Sequence, residues 1–220
     1  MNDPRLQERL VRRLNAPLPG AAAQRLYEPD LSYGRHYAPP PPTARQAAVV
    51  ALLYPHKDAW HLPLMLRPDT MADHAGQVSF PGGMIEPGEQ SAEAALREME
   101  EELGIATAAV ELLGQLTPLY LFVTDFYVTP WLAIASSRPE IRPNPIEVAE
   151  VLEVPATVLL DPAHSGEHEH QHRGLKFRAP HFHWQQHRIW GATGMMLGEV
   201  AAVLREATEL PLDDERETEV

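Results

Sequence analysis

The 220-residue chain contains no cysteine. That absence excludes a disulfide framework, thiol catalysis and a zinc-thiolate site, and leaves eleven histidines as the nitrogen ligands available to a metal. Long apolar runs are missing too. No stretch approaches the roughly 18 residues of a membrane-spanning helix, and the opening MNDPRLQERLVRRLN has no apolar segment behind its charges. Neither a membrane span nor a secretory leader is expected, so the chain reads as soluble and cytoplasmic. Basic charge is scarce: 18 Lys and Arg stand against 31 Asp and Glu, a net charge of −13. A nucleic-acid partner is therefore not expected, since a phosphate backbone needs a basic surface. A hydrophobic content of 44% over this length supports one well-buried domain with extensions.

What the chain does have is concentrated in residues 83–105, GMIEPGEQSAEAALREMEEELGI. Residues 92–103 are strong helix formers, Ser91 or Gln90 sits where an N-cap belongs, and Gly104 follows as a stop. On that helix Glu98, Glu101 and Glu102 share one face, while Ala92, Leu96, Met99 and Leu103 cluster opposite. Three carboxylates side by side repel, and a solvated helix would intersperse lysines at i+4. Divalent cations remove the conflict. Oxygen-rich carboxylate sites suit Mg²⁺ or Mn²⁺, which are usually completed by substrate phosphates, so a small phosphate-bearing substrate is compatible with an acidic chain. Arg97, four residues before Glu101, is placed to brace that carboxylate. The competing reading of the EMEEE run is an acidic, exposed helix.

The spacing resembles the signature of the Nudix hydrolases at every fixed position. Gly83, Glu89, Arg97, Glu98, Met99, Glu101, Glu102, Gly104 and Ile105 fall where that signature requires them. The resemblance implies an α/β fold, an α/β/α sandwich with a central mixed sheet, and a metal-dependent pyrophosphatase acting on a nucleoside diphosphate derivative. It implies Glu98, Glu101, Glu102 and the Gly82 carbonyl as metal ligands, with Glu89 supporting the metal or the helix and Arg97 assisting. The general base stays open between Glu98, Glu101 and a loop acid, for which Glu147 and Glu150 are the candidates; the alternative for that pair is a surface acid or a helix cap.

Along the chain, Asp3-Pro4 and RLQERLVRRLN read as an N-capped helix with Leu6, Leu10 and Leu14 on one stripe, a docking or homodimer element. Residues 15–38 read as irregular and Pro39 to Pro42 as a stiff spacer, which divides the chain into an extension (1–44), a hydrolase domain (45–208) and an acidic, disordered tail (209–220). Residues 46–54 form an apolar run suited to a strand covered on both faces, with 60–67 its partner. Further strands fall at 111–117 and 126–134, where Pro130 hints at an edge or bulge. Alternation of His168, His170 and His172 would put them on one side of an extended strand fit for a transition metal, but an exposed hairpin loop is the preferred reading. A last helix covers 197–204.

Three passages resemble the coenzyme A diphosphatase branch of the family. Residues 64–83 carry its arginine (Arg67), glycine (Gly76) and Phe-Pro-Gly-Gly (Phe80 to Gly83), residues 144–155 its NP-x-EV stretch, and 189–193, IWGAT, the opening of its last helix. The resemblance implies substrate contacts at Arg67, Gly76, Phe80 and Gly83, and cleavage of coenzyme A to 3′,5′-ADP and 4′-phosphopantetheine. Two positions depart from the branch: Pro68 replaces a small residue and Ala72 a second arginine, with Asp73 following. A polyanionic ligand loses a cation there, so weak discrimination between coenzyme A and dephospho-coenzyme A is expected unless Arg45, Lys57 or the N-terminal segment substitutes. ADP-ribose, NADH and dinucleoside polyphosphates are the alternative substrates. A Nudix-fold module that senses a nucleotide without cleaving it is the alternative class, although such modules typically lose box carboxylates and none is lost here.

Overall fold

A computed structural model describes residues 5–68, 76–172 and 174–209. Asp3 and Pro4, Ala72 and Asp73, the His172 side chain and the tail beyond Glu209 lie outside the described residues. In chain order the elements are α1 (Leu6–Leu14), α2 (Gly20–Gln24), β1 (Arg45–His56), β2 (Ala59–Leu66), β3 (Val78–Ser79), β4 (Gly82–Met84), α3 (Ser91–Leu103), β5 (Glu111–Gln115), β6 (Leu119–Leu121), β7 (Phe126–Ile134), β8 (Glu150–Pro155), α4 (Ala156–Leu160), β9 (Ser165–His172), β10 (Leu175–Trp184), β11 (His187–Trp190) and α5 (Gly191–Glu209).

The main sheet runs β3-β2-β1-β7-β5, with β4 on β1, β6 on β7 and β8 on β2. Among the described residues only β1 and β7 pair in parallel, Arg45 opposite Phe126 through Leu53 opposite Ile134, so the sheet is mixed. Side chains of β1 alternate between two cores, as a pleat of period two requires. Ala47, Ala51 and Leu53 join the core beneath α5, with Val200, Val203 and Leu204. Ala48, Val50, Leu52 and Tyr54 join the core beneath α3, with Ala94, Ala95, Met99 and Leu103. A continuous apolar run was needed because both faces are covered, which makes the fold an α/β/α sandwich.

α3 starts from Gln90, which exchanges capping-box hydrogen bonds with Glu93, and ends at Gly104, whose φ of 63° is left-handed. Its buried face is turned from the expected stripe: Ala94, Ala95, Met99, Glu102 and Leu103 are buried, and Ala92 is not. Ala95, Met99 and Glu102 stand at i, i+4 and i+7, so one glutamate shares the row that enters the core.

Several expectations are corrected. Of the two readings of α1, docking holds within the chain itself, since Leu6 and Leu10 are fully buried in the α5-side core. Residues 15–38 contain α2 and three single 3-10 turns rather than irregular chain. β7 is central, not an edge; Pro130 sits between the end of β5, opposite Trp131, and the start of β6, opposite Val128, and its carbonyl accepts from the Leu116 N–H, 2.9 Å. The bulge lies instead in β5, between Leu112 and Gly114. The histidine-rich segment is a strand, β9, paired along its length with β10. His168 and His170 are half-buried because they pack on His181 and Trp190: the Nδ1 atoms of His168 and His181 are 3.1 Å apart, and the His170 and Trp190 ring centroids 4.4 Å.

Candidate active site

Two adjacent glycines bring the α3 glutamates to the sheet. Gly82 has a φ of +150°, and a Cβ there would come within 3.0 Å of the Ala48 carbonyl and the Val49 Cα, so no side chain fits between β4 and β1. Its N–H donates to Glu102 Oε2, 2.8 Å. At Gly83 a Cβ would fall under 3.0 Å from the Glu98 carboxylate, so the bare backbone is what gives Glu98 its place.

Glu102 is 3% exposed. Besides the Gly82 N–H, its carboxylate has the Arg67 Nη1 at 4.0 Å, beyond hydrogen-bond distance. Burial, only partly offset by that N–H and reinforced by Glu98, pushes its pKa up to about 8. Burial also raises Glu98, against the pull of Arg97.

Arg97 ties the rest together. Its guanidinium holds Glu89 through two bonds (2.8 and 3.1 Å), Glu98 through one (2.9 Å), Glu101 through one (3.2 Å) and the Met84 carbonyl (3.0 Å). The helical spacing identified only the contact to Glu101; the contact to Glu89 closes a loop of eight residues that periodicity cannot see. Glu89 is held below the usual carboxylate range by Arg97 and by the Glu86 N–H.

A cavity of about 510 Å³ opens beside these residues. Its acidic end is lined by Gly82, Gly83, Glu98, Glu102 and Glu147, with Arg67 and Phe80. Its other end is apolar, with Leu121, Phe126, Val128, Trp190 and Met196, and carries Arg45. Glu147 lies near enough to raise the pKa of both Glu98 and Glu102. Glu150 has no place in the cavity and faces His187 Nε2 at 3.2 Å. Gly76 is exposed beside Arg67, whose carbonyl its N–H reaches at 3.1 Å, and does not line the cavity. Phe126 and Trp190 were not singled out from sequence. Alternation along a strand shows which residues share a face, and only the packing decides which face opens on a cavity.

Among the described residues no three His, Asp or Glu side chains converge tightly enough to hold a metal ion as placed, because Arg97 draws Glu98 and Glu101 to itself. The donor set nevertheless fits a hard divalent cation. It is all oxygen, and Glu102 is a buried carboxylate with one hydrogen bond and no cation in contact.

Comparison with known proteins accounts for this arrangement. The NUDIX domain family matches residues 44–179, more than half of the chain. The chain is 37% identical over 169 residues to a protein of Photorhabdus laumondii named uncharacterized Nudix hydrolase NudL, covering 74% of this chain and 89% of that one. A protein of the same name from Pectobacterium atrosepticum is 34% identical over 158 residues, 71% and 81% of the two chains. The chain belongs to the Nudix hydrolase family. It is a diphosphohydrolase of nucleoside diphosphate derivatives, in a family that generally uses divalent metal ions. The fold agrees with the crystal structure of a MutT/nudix family protein from Enterococcus faecalis, at a TM-score of 0.51 and 16% identity over 94% of this chain and 80% of that one. No helix among the described residues is long and apolar enough to cross a membrane.

Proposed function

We propose that this hydrolase cleaves the diphosphate of coenzyme A or a derivative, giving 3′,5′-ADP and 4′-phosphopantetheine, with Mg²⁺ or Mn²⁺. The supporting observation is a convergence. Three passages that resemble the coenzyme A diphosphatase branch lie far apart in sequence, yet all reach one cavity: Arg67, Phe80, Gly82 and Gly83 from the first, Glu147 from the second, and Trp190, Ala192 and Thr193 from the third. Thr193 also donates to the Val78 carbonyl, 2.9 Å, which pins the start of α5 to β3 and fixes the cavity wall.

Glu98, Glu101, Glu102 and the Gly82 carbonyl would hold Mg²⁺ or Mn²⁺, which would supply the positive charge that a diphosphate needs in an acidic pocket. The protein's own groups do the rest. Arg97 orients Glu98 and Glu101, and the Gly82 N–H orients Glu102. Glu147, which accepts from the Asn144 side-chain amide at 3.2 Å and forms no ion pair among the described residues, is the carboxylate best placed to take the proton. Water oxygen then bonds to phosphorus, the phosphoanhydride P–O bond breaks, and the water proton passes to Glu147. Arg67, 4.0 Å from Glu102 at the same acidic end, supplies a guanidinium to the diphosphate.

The test is turnover of coenzyme A, ADP-ribose, NADH and a dinucleoside polyphosphate with each metal. Coenzyme A should give the highest kcat/KM, chelation should abolish turnover without unfolding, and Glu147→Gln should slow it by about 10²-fold. A tenfold preference for any other compound overturns the substrate assignment.

A further inference from the structure

Two cations among the described residues line the cavity, and they are not equivalent. Arg67 stands 4.0 Å from Glu102, so part of its charge already answers a carboxylate at the acidic end. Arg45 is paired with no carboxylate among the described residues. Its guanidinium carbon lies 3.9 Å from the Phe126 ring centroid, and its Nη2 donates to the Thr124 carbonyl, 2.7 Å. A guanidinium held by an aromatic face on one side and a backbone carbonyl on another is pre-organised, with N–H donors left for an anion.

Its distance from the acidic end follows from register. Ala48 is opposite Gly83, the residue whose missing side chain makes room for Glu98. Arg45 precedes Ala48 by three residues, about 10 Å along a strand at ~3.3 Å per residue. Ala47, Val49 and Val128 form an apolar wall between the two ends. Lys57, in the turn between β1 and β2, lines a different cavity with His56, His61 and Glu153.

We infer that Arg45 is a specificity-determining residue that binds a second phosphate of the substrate, one lying outside the diphosphate and across a ribose from it. On the coenzyme A reading proposed above, this is the 3′-phosphate. In a chain of net charge −13 a phosphate away from the metal needs a local cation, and Arg45 supplies it from β1 although position 72 holds alanine. The expectation of weak discrimination is thereby reversed: coenzyme A should be preferred over dephospho-coenzyme A by about tenfold or more.

The test has two arms. In the first, calorimetry compares adenosine 3′,5′-bisphosphate with adenosine 5′-monophosphate on the wild type, Arg45→Met and Arg45→Lys, each checked for folding by thermal unfolding. The wild type should bind the bisphosphate about 10- to 150-fold more tightly, Arg45→Met should lose that preference, and Arg45→Lys should keep part of it. Equal binding of the two nucleotides by the wild type, or an undiminished preference in Arg45→Met, overturns the inference whatever turnover shows. In the second arm, the ratio of kcat/KM for coenzyme A to that for dephospho-coenzyme A should collapse toward 1 in Arg45→Met. Absence of coenzyme A turnover together with a bisphosphate preference that Arg45→Met removes would refute the substrate reading and leave the role of Arg45 standing.

Discussion

Glu102 and Glu199 are both buried carboxylates on the two helices that flank the sheet, and they are treated in opposite ways. Glu199, 0% exposed on α5, accepts from the Gly20 N–H (3.1 Å), the Gln24 side-chain amide (2.9 Å), and the Thr117 N–H (3.1 Å) and hydroxyl (2.6 Å). Neutral donors from α2 and from the loop after β5 surround it, so the charge acts as a clasp that joins the N-terminal segment to the core. Glu102, 3% exposed on α3, has one N–H and a distant guanidinium. A buried carboxylate that serves the fold is saturated within the chain, whereas one that serves a site is left short of positive charge, which a ligand must bring.

The contrast is broken most directly by removing each charge. Glu102→Gln and Glu101→Gln should lower turnover by 10² to 10³-fold, roughly 2.7 to 4 kcal/mol in the barrier, with no loss of thermal stability in metal-free protein. Near-full activity in both would end the assignment of that face to catalysis. Glu199→Ala should do the reverse. Four donor groups from three residues lose their acceptor, at about 3 kcal/mol or more in total, which for a chain of this size lowers Tm by roughly 6 to 12 °C. A Tm within 2 °C of wild type would show that water replaces the clasp, and a steady-state assay on the folded fraction should find turnover little changed.

The two glycines sharpen the comparison within the site itself. Gly82→Ala sets a Cβ against backbone at a φ of +150°, so it should destabilise the protein by about 1 to 3 kcal/mol. Gly83→Ala meets only the end of the Glu98 side chain, which can move; stability should change by less than about 1 kcal/mol while kcat/KM falls on the order of tenfold or more. If the two variants lost stability equally, Glu98 would not be the group that Gly83 accommodates.

The smallest expected effect concerns Glu153, a carboxylate that does have its cation. Arg138 holds it through two bonds of 2.8 Å and the buried Tyr54 hydroxyl donates at 2.7 Å, which together bring its pKa down to about 2 from an ordinary 4.5. Because the folded value is the lower one, its stabilisation is present above pH 4.5 and is lost as the pH falls toward 2. Glu153→Gln should therefore cost about 1 kcal/mol near pH 7, discounted for the partly exposed pair, and nothing near pH 2. Unfolding curves at the two pH values check this, and an equal deficit at both would rule out the ionic origin.

Much of this was legible in the chain alone, wherever a feature rests on neighbours in sequence. The helix over residues 92–103 was expected from composition and caps and is observed over Ser91–Leu103, and the strand over residues 126–134 is observed as Phe126–Ile134. The apolar run of β1 announced burial on both faces, and the spacing of nine residues named the family. Register and packing supplied the rest. No local pattern distinguishes Glu102, in the row that enters the core, from Glu101, which is exposed on Arg97, because a rotation of the helix by a fraction of a turn decides it. Nor could periodicity place Glu199 among donors from Gly20, Gln24 and Thr117, 82 to 179 residues away. Arg45 stands in the cavity because β1 pairs with β7 in parallel, opposite Phe126. Helix and strand follow from short-range sterics and alternation, whereas which charge is buried, and what faces it, is set by contacts between segments distant in the chain.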